Sequence, residues 1–437
     1  MVRGIVGGLA LAVAAMLGVA GQAHAEQRIA LVIGNANYAK GPLKTPLVDG
    51  GLIAETLNSA GFEIVEGADV NQGDLRRIFR DFLAKVEAAG PDTIAFVYFS
   101  GYGLSFEGEN FLVPADVKLE RESDIPLDAV RVSDLMRPLA AMPARAKAIV
   151  IDAARPHPFT FPNATLAVGL TAVEPPPGML ISYSSAPGTL AEDGQDAYGP
   201  FAVAISEMMR EPGLDLDAAF SRIRVRTHQL TQGRQTPWHM SALGAPVIVV
   251  PGAPAASAAP AAPAPVVHAR RPVRPMRDIG MEEAYALAIE QDSLPAYAEF
   301  VQVYQDSPYA PRVWAIIRAR REALAWMRAL EFNTPESYWT YLRRYPNGVY
   351  AEDAHRRLRR LAALLEPPPD FSPVEFVGVP EPLVGEPVDY VAFYPPAPPP
   401  PALLIEPIPA FSLSLPPPPS PRPAFLVVPV TLPAVAP

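Results

Sequence analysis

Two short apolar runs, each ending abruptly on small or polar residues, constrain this chain more than anything else in it. Lys147-Ala-Ile-Val-Ile-Asp152 is apolar at successive positions, stops on a carboxylate and opens through Ala153-Ala154-Arg155 into a Pro-containing loop. Upstream, the run from Asp92 through Phe99 ends in Ser100-Gly101-Tyr102-Gly103. Runs of this length and composition read as strands buried on both faces of a parallel sheet. Open α/β sheets place their ligands just beyond the carboxyl ends of such strands. Two tips side by side therefore make a crevice, and any site in this chain is expected there.

The segments around these runs alternate in the same sense. Arg28 to Gly34 is a continuous apolar strand, and Val48 to Ala60 has helical spacing ended by Gly61. Phe62 to Val65 reads as a strand and Asp74 to Ala89 as an amphipathic helix stopped by Gly90-Pro91. Farther on, Phe111 to Val113 is a short extended element and Val132 to Ala141 a helix. Met179 to Ser182 is a strand, Phe201 to Met209 and Leu216 to Leu230 are helices, and Val247 to Val250 is the candidate to close the sheet. The pattern predicts an α/β fold: a three-layer sandwich with a mostly parallel sheet of about six strands.

Beyond residue 250 the composition changes. Residues 251–280 form a Pro/Ala-rich linker, expected to be semi-rigid and extended. Residues 281–365 hold an internal repeat with a 41-residue offset: Tyr285 matches Trp326, Asp292-Ser293 matches Asn333-Thr334, Tyr297 matches Tyr338 and Tyr309-Ala310 matches Tyr350-Ala351. Paired amphipathic helices with aromatic residues at the inter-helix positions resemble tetratricopeptide-type arrays. This small α-helical repeat module carries Arg318, Arg320, Arg321, Arg343, Arg344, Arg356, Arg357, Arg359 and Arg360. Those arginines predict either a solvated face or a docking surface for an acidic partner. Residues 366–437 make a Pro-rich tail, expected to be disordered or polyproline-like.

The first 25 residues have a basic start at Arg3, an apolar core and Ala23-His24-Ala25, the pattern of a secretory signal. The expected product is exported, periplasmic or secreted, with domain 26–250 at its front and no integral membrane span after cleavage; an uncleaved anchor is the alternative. A net charge of −10 argues against non-specific nucleic-acid binding. The chain has no cysteine, so thiolate chemistry, disulfides and Cys-ligated metals are excluded. The six histidines show no ligand spacing, so neither a metal nor a cofactor is expected.

The two tips resemble those of the caspase-like cysteine peptidase superfamily, in particular its bacterial metacaspase-like members, whose strands end in S-G-H-G and D-x-C-R. Arg28 to Asn35, Leu47-Val-Asp49, Gly108 to Asp116, Pro158-Phe159, Ala186-Pro187-Gly188 and Gln235-Thr-Pro237-Trp238 follow in the family's order. The resemblance covers about residues 27–250. It implies that Tyr102 stands where the family has its catalytic His, and Ala154 where it has the Cys nucleophile. A phenol titrating near 10 is a poor general base at neutral pH, and Ala offers no nucleophile. The resemblance also places Asp49, Ser100 and Asp152 at the pocket for a basic Arg or Lys side chain. In purely structural terms, Asp49 caps a helix and Asp152 accepts backbone bonds at a strand end. His157, on the same loop as Ala154, is expected to be structural. The function this implies is an exported pseudoprotease that binds peptides or proteins with exposed Arg or Lys without cutting them. Two alternatives stand beside it: a hydrolase that recruits Ser100 or Tyr102, and an architectural envelope protein acting through its repeats and tail.

Overall fold

The computed structural model describes residues 26–162, 165–191, 196–252 and 275–381. Residues 1–25, read above as a signal, most of the stretch read as a linker (253–274) and the tail from 382 onward lie outside the described residues.

Residues 26–252 form a six-stranded sheet between two layers of helices. In chain order come β1 (Arg28–Gly34), α1 (Pro46–Ser59), β2 (Glu63–Ala68), α2 (Gln72–Ala89) and β3 (Ile94–Ser100). There follow β4 (Gly103–Phe106), β5 (Glu109–Leu112), β6 (Val130–Arg131), α3 (Val132–Ala141), β7 (Ala146–Asp152), β8 (Met179–Tyr183), α4 (Pro200–Met208), α5 (Leu216–Leu230) and β9 (Trp238–Ser241). The sheet order is β2-β1-β3-β7-β8-β9, all parallel except β9. Because strand side chains alternate, Ile29, Leu31 and Ile33 face α2 and α3, where Phe79, Phe82 and Leu139 pack. Ala30 and Val32 face the other way, toward Ile53 and Leu57 of α1 and Phe201, Ile205 and Phe220 of α4 and α5.

Two expectations are corrected. The strand that closes the sheet is β9, not Val247–Val250. The latter buries Val247 and Val249 against the α4–α5 layer and leaves Ile248 exposed, so its alternation serves a helix face rather than the sheet. The single extended element at Phe111 is instead one strand of a small antiparallel sheet, β4-β5-β6. Its hairpin turn, Glu107-Gly108, has both residues at positive φ (52° and 77°), the backbone that a two-residue hairpin loop requires.

The repeat module comprises α6 (Met281–Gln291), α7 (Leu294–Val303), α8 (Ala310–Phe332), α9 (Pro335–Arg344) and α10 (Ala351–Arg360). The long α8 ends one copy and begins the next. The copies agree in detail. Asp292 and Asn333 are both left-handed, and each accepts the hydroxyl of the Tyr five residues on, Tyr297 at 2.7 Å and Tyr338 at 2.6 Å. Ser293 and Thr334 then cap the following helices. Tyr285 stacks on Tyr309 (4.4 Å between ring centres) as Trp326 stacks on Tyr350 (5.3 Å).

Two boundaries shift. Met276, in the stretch read as linker, is buried in the module's core. Residues 366–381, at the start of the Pro-rich tail, lie along α8 and α9: Phe376 and Val379 are buried, Phe371 meets the Trp339 ring edge-on, and Val374 N donates to Thr340 Oγ1 at 2.9 Å. No helix among the described residues is long and apolar enough to cross a membrane.

The module rests directly on the α/β domain. Arg224 of α5 and Arg320 of α8 share the Asp292 carboxylate, and Arg320 also covers the Trp238 ring at 5.0 Å. Tyr285 Oη and Thr236 Oγ1 hydrogen-bond the two ring nitrogens of buried His228 at 2.8 and 2.9 Å. Burial, with the nearby Arg312 charge, pushes the His228 imidazole down to about 3. Arg356 reaches Glu122 and the Thr165 carbonyl. Of the arginines read as either a solvated face or a docking surface, Arg320 and Arg356 are thus paired within the chain.

Candidate functional site

The parallel register sets Ser100 beside Asp152, the last residues of β3 and β7. Backbone bonds join the tips beyond them, Gly101 N to Asp152 O at 3.2 Å and Gly103 N to Ala153 O at 2.8 Å. Asp49 enters from the first turn of α1, fully buried, with Oδ1 accepting Gly199 N at 2.7 Å. The three residues predicted for a basic-side-chain pocket are therefore brought together at the carboxyl edge of the sheet.

The space between them is taken by Arg155. Its side chain is 3% exposed; one terminal nitrogen lies 3.2 Å from both Ser100 Oγ and Asp152 Oδ2 and 3.9 Å from Asp49 Oδ2. The other donates to Gly101 O at 3.1 Å and to Asp152 O. Tyr98, also on β3, donates to Asp152 Oδ2 at 3.3 Å.

One guanidinium facing two buried carboxylates leaves an excess of acid. Burial, reinforced by the Asp152 charge and only partly offset by Arg155, pushes Asp49 up to about 7. Burial likewise holds the Tyr98 phenol well above its ordinary range, with both carboxylates adding to it.

The two residues that the resemblance sets at the dyad, Tyr102 and Ala154, are packed in the interior. Ala154 is 1% exposed within the sheet's hydrophobic core, and its carbonyl accepts Ala191 N at 2.7 Å. Tyr102 is 4% exposed; its ring lies 4.7 Å from Tyr38 and 5.8 Å from Phe159, and its hydroxyl donates to Gly41 O at 2.8 Å. Tyr38 in turn accepts Tyr102 N and donates to Val113 O, both at 3.0 Å. His157 stacks on Phe159, and burial lowers its imidazole below the usual histidine range.

Sequence reasoning identified Asp49, Ser100 and Asp152 but missed Arg155 and Tyr98. A signal existed for Arg155. A cation three residues past a carboxylate at a buried strand end is placed to fold back onto it. Tyr98 gave a weaker one, an aromatic two residues before the tip and hence on the same strand face as Ser100.

The caspase-domain family model (peptidase C14) matches residues 27–248, just over half of the chain. Mucosa-associated lymphoid tissue lymphoma translocation protein 1 of Homo sapiens is 30% identical over 117 residues, which are 26% of this chain and 14% of that protein. Its Mus musculus homolog is 29% identical over 118 residues, 27% and 14% of the two chains. The match thus spans a small part of these relatives' length. Among solved structures, caspase-1 from Spodoptera frugiperda aligns over 52% of this chain and 92% of its own, at 14% identity and a TM-score of 0.39. By the match over its α/β domain, the chain belongs to the caspase-domain family.

Proposed function

We propose that this protein is an exported pseudoprotease: a caspase-type domain that recognises basic side chains without cleaving the chains that carry them. Two features support the absence of cleavage. Ala154 supplies no nucleophile, a loss on the order of a million-fold in turnover where one is required. The two hydroxyls that could be recruited are committed, Ser100 Oγ to Arg155 and Tyr102 Oη to the Gly41 carbonyl.

The observation that carries the binding half is the seat of Arg155. Two carboxylates and a hydroxyl converge on its guanidinium, so the site's chemistry suits Arg, whose planar fork engages carboxylates and carbonyls at once. In the wild-type protein the chain fills this site itself, and an external Arg enters only where Arg155 withdraws. The filled crevice and the docked module also favour a second reading, an architectural role in the cell envelope.

The test of non-cleavage is a panel of Arg- and Lys-directed fluorogenic peptides with the mature protein. No turnover above background is expected; turnover that disappears in Ser100→Ala would overturn the proposal in favour of an unconventional hydrolase.

A further inference from the structure

The two copies of the repeat touch the caspase-type domain through equivalent positions. Arg312 and Asp353 are 41 residues apart, each in the first turn of the helix that follows a Tyr-Ala step, Tyr309-Ala310 or Tyr350-Ala351. Both are nearly fully buried. Each meets a turn of the same shape, a residue and a glycine that are both left-handed. Arg312 meets Gln232-Gly233, with φ of 52° and 78°, and Asp353 meets Glu107-Gly108, with φ of 52° and 77°.

The chemistry is opposite in polarity at one position. Arg312 donates to the Gln232 carbonyl at 3.4 Å, and its guanidinium fills the space where a Cβ on Gly233 would sit. Asp353 accepts Glu107 N at 3.0 Å. The second contact is reinforced: Arg357 donates to Glu107 O through two nitrogens at 2.9 and 2.5 Å, Arg360 pairs with the Glu107 carboxylate, and Leu330 lies 2.6 Å from a Cβ built on Gly108. Glycine is required twice over in each turn, by the positive φ and by the closeness of the module.

We infer that the helical module is a turn-reading domain whose partner is the caspase-type domain itself, each repeat recognising one left-handed x-Gly turn through position 312 or 353. Both contacts are made at once, which gives docking a fixed register. One of the two turns closes the β4–β5 hairpin, which starts immediately after Tyr102. The module therefore holds the segment leaving the former dyad position. This inference does not depend on what, if anything, the acidic site binds.

The test uses the full chain with a protease site inserted within residues 253–274 and cut once. The wild-type halves should stay together on gel filtration, and dilution gives their dissociation constant. Arg312→Ala and Asp353→Ala should each raise that constant at least tenfold, while Arg359→Ala, at an exposed position of α10, should leave it within about twofold. Circular dichroism confirms the helices; should Asp353→Ala fail to fold, the isosteric Asp353→Asn replaces it with the same expected direction. Wild-type halves that separate on cutting, or an unchanged constant in both variants, would overturn the inference.

Discussion

Two of the places where the protein buries arginine against aspartate have reversed stoichiometry. At the sheet edge one guanidinium, Arg155, faces two carboxylates, Asp49 and Asp152. At the domain interface two guanidiniums, Arg224 and Arg320, share the one carboxylate of Asp292. An excess of buried acid can be relieved by protonation, and burial, reinforced by the Asp152 charge, raises Asp49 to about 7. An excess of guanidinium cannot, because arginine does not give up its proton in proteins. The interface instead spreads the charge over neutral acceptors. Arg224 donates to the carbonyls of Pro237, Ile289 and Glu290, and Arg320 lies over an indole. The first arrangement is adjustable; the second is a fixed joint.

The comparison breaks most easily at the joint. Asp292→Ala would leave two desolvated guanidiniums without their carboxylate and should cost about 3–5 kcal/mol in denaturant unfolding. His228→Gln should cost about 1–3 kcal/mol at pH 7, since it disturbs two buried hydrogen bonds. Its pH signature is sharper. A folded-state pKa depressed to about 3 gives stability that is full above the ordinary histidine value of about 6.5 and is lost as pH falls toward 3. The variant should therefore lose less stability than wild type between pH 7 and 4; an identical acid slope would contradict the account.

At the sheet edge the sign reverses and the effect is smaller. Asp49 has a raised folded-state pKa, so its contribution is full below the ordinary carboxylate range and is lost as pH rises toward about 7. Asp49→Asn should change stability by about 1 kcal/mol or less at pH 7. It should also gain on wild type as pH is raised from 5 to 8. A variant that falls further behind at high pH would mean that Asp49 is held ionised by Arg155.

Much of this was legible in the sequence because it rests on periodicity. The strands from Arg28, Ile94, Ala146 and Met179 are mostly apolar runs, and the matched Asp292 and Asn333, Tyr297 and Tyr338 of the repeat follow from a fixed offset. Asp49, Ser100 and Asp152 were legible through family resemblance. What escaped is too short or too ambiguous to read. β9 is Trp-His-Met-Ser, four residues with only two apolar ones, whereas Val247–Val250 is a continuous apolar run that resembles a buried strand but packs on helices. The β4–β5 turn is recognisable only once both its residues are known to be left-handed. The interface is built from Arg, Asp, His and Tyr, which on one sequence look like a solvated face and find their partners only across the fold. Arg155 was read as part of a motif rather than as a charge that must go somewhere.

The claim on which the account turns is that Arg155 occupies a guanidinium site that is otherwise complete. Calorimetric titration of an arginine-containing peptide into the wild-type protein and into Arg155→Ala tests it most directly, with the folding of both confirmed by their melting transitions. The account predicts weak binding by the wild type, where the peptide must displace Arg155, and tighter binding by Arg155→Ala that is lost again when Asp152→Asn is added. Wild-type binding as tight as that of Arg155→Ala, or no binding by a folded Arg155→Ala, would contradict it.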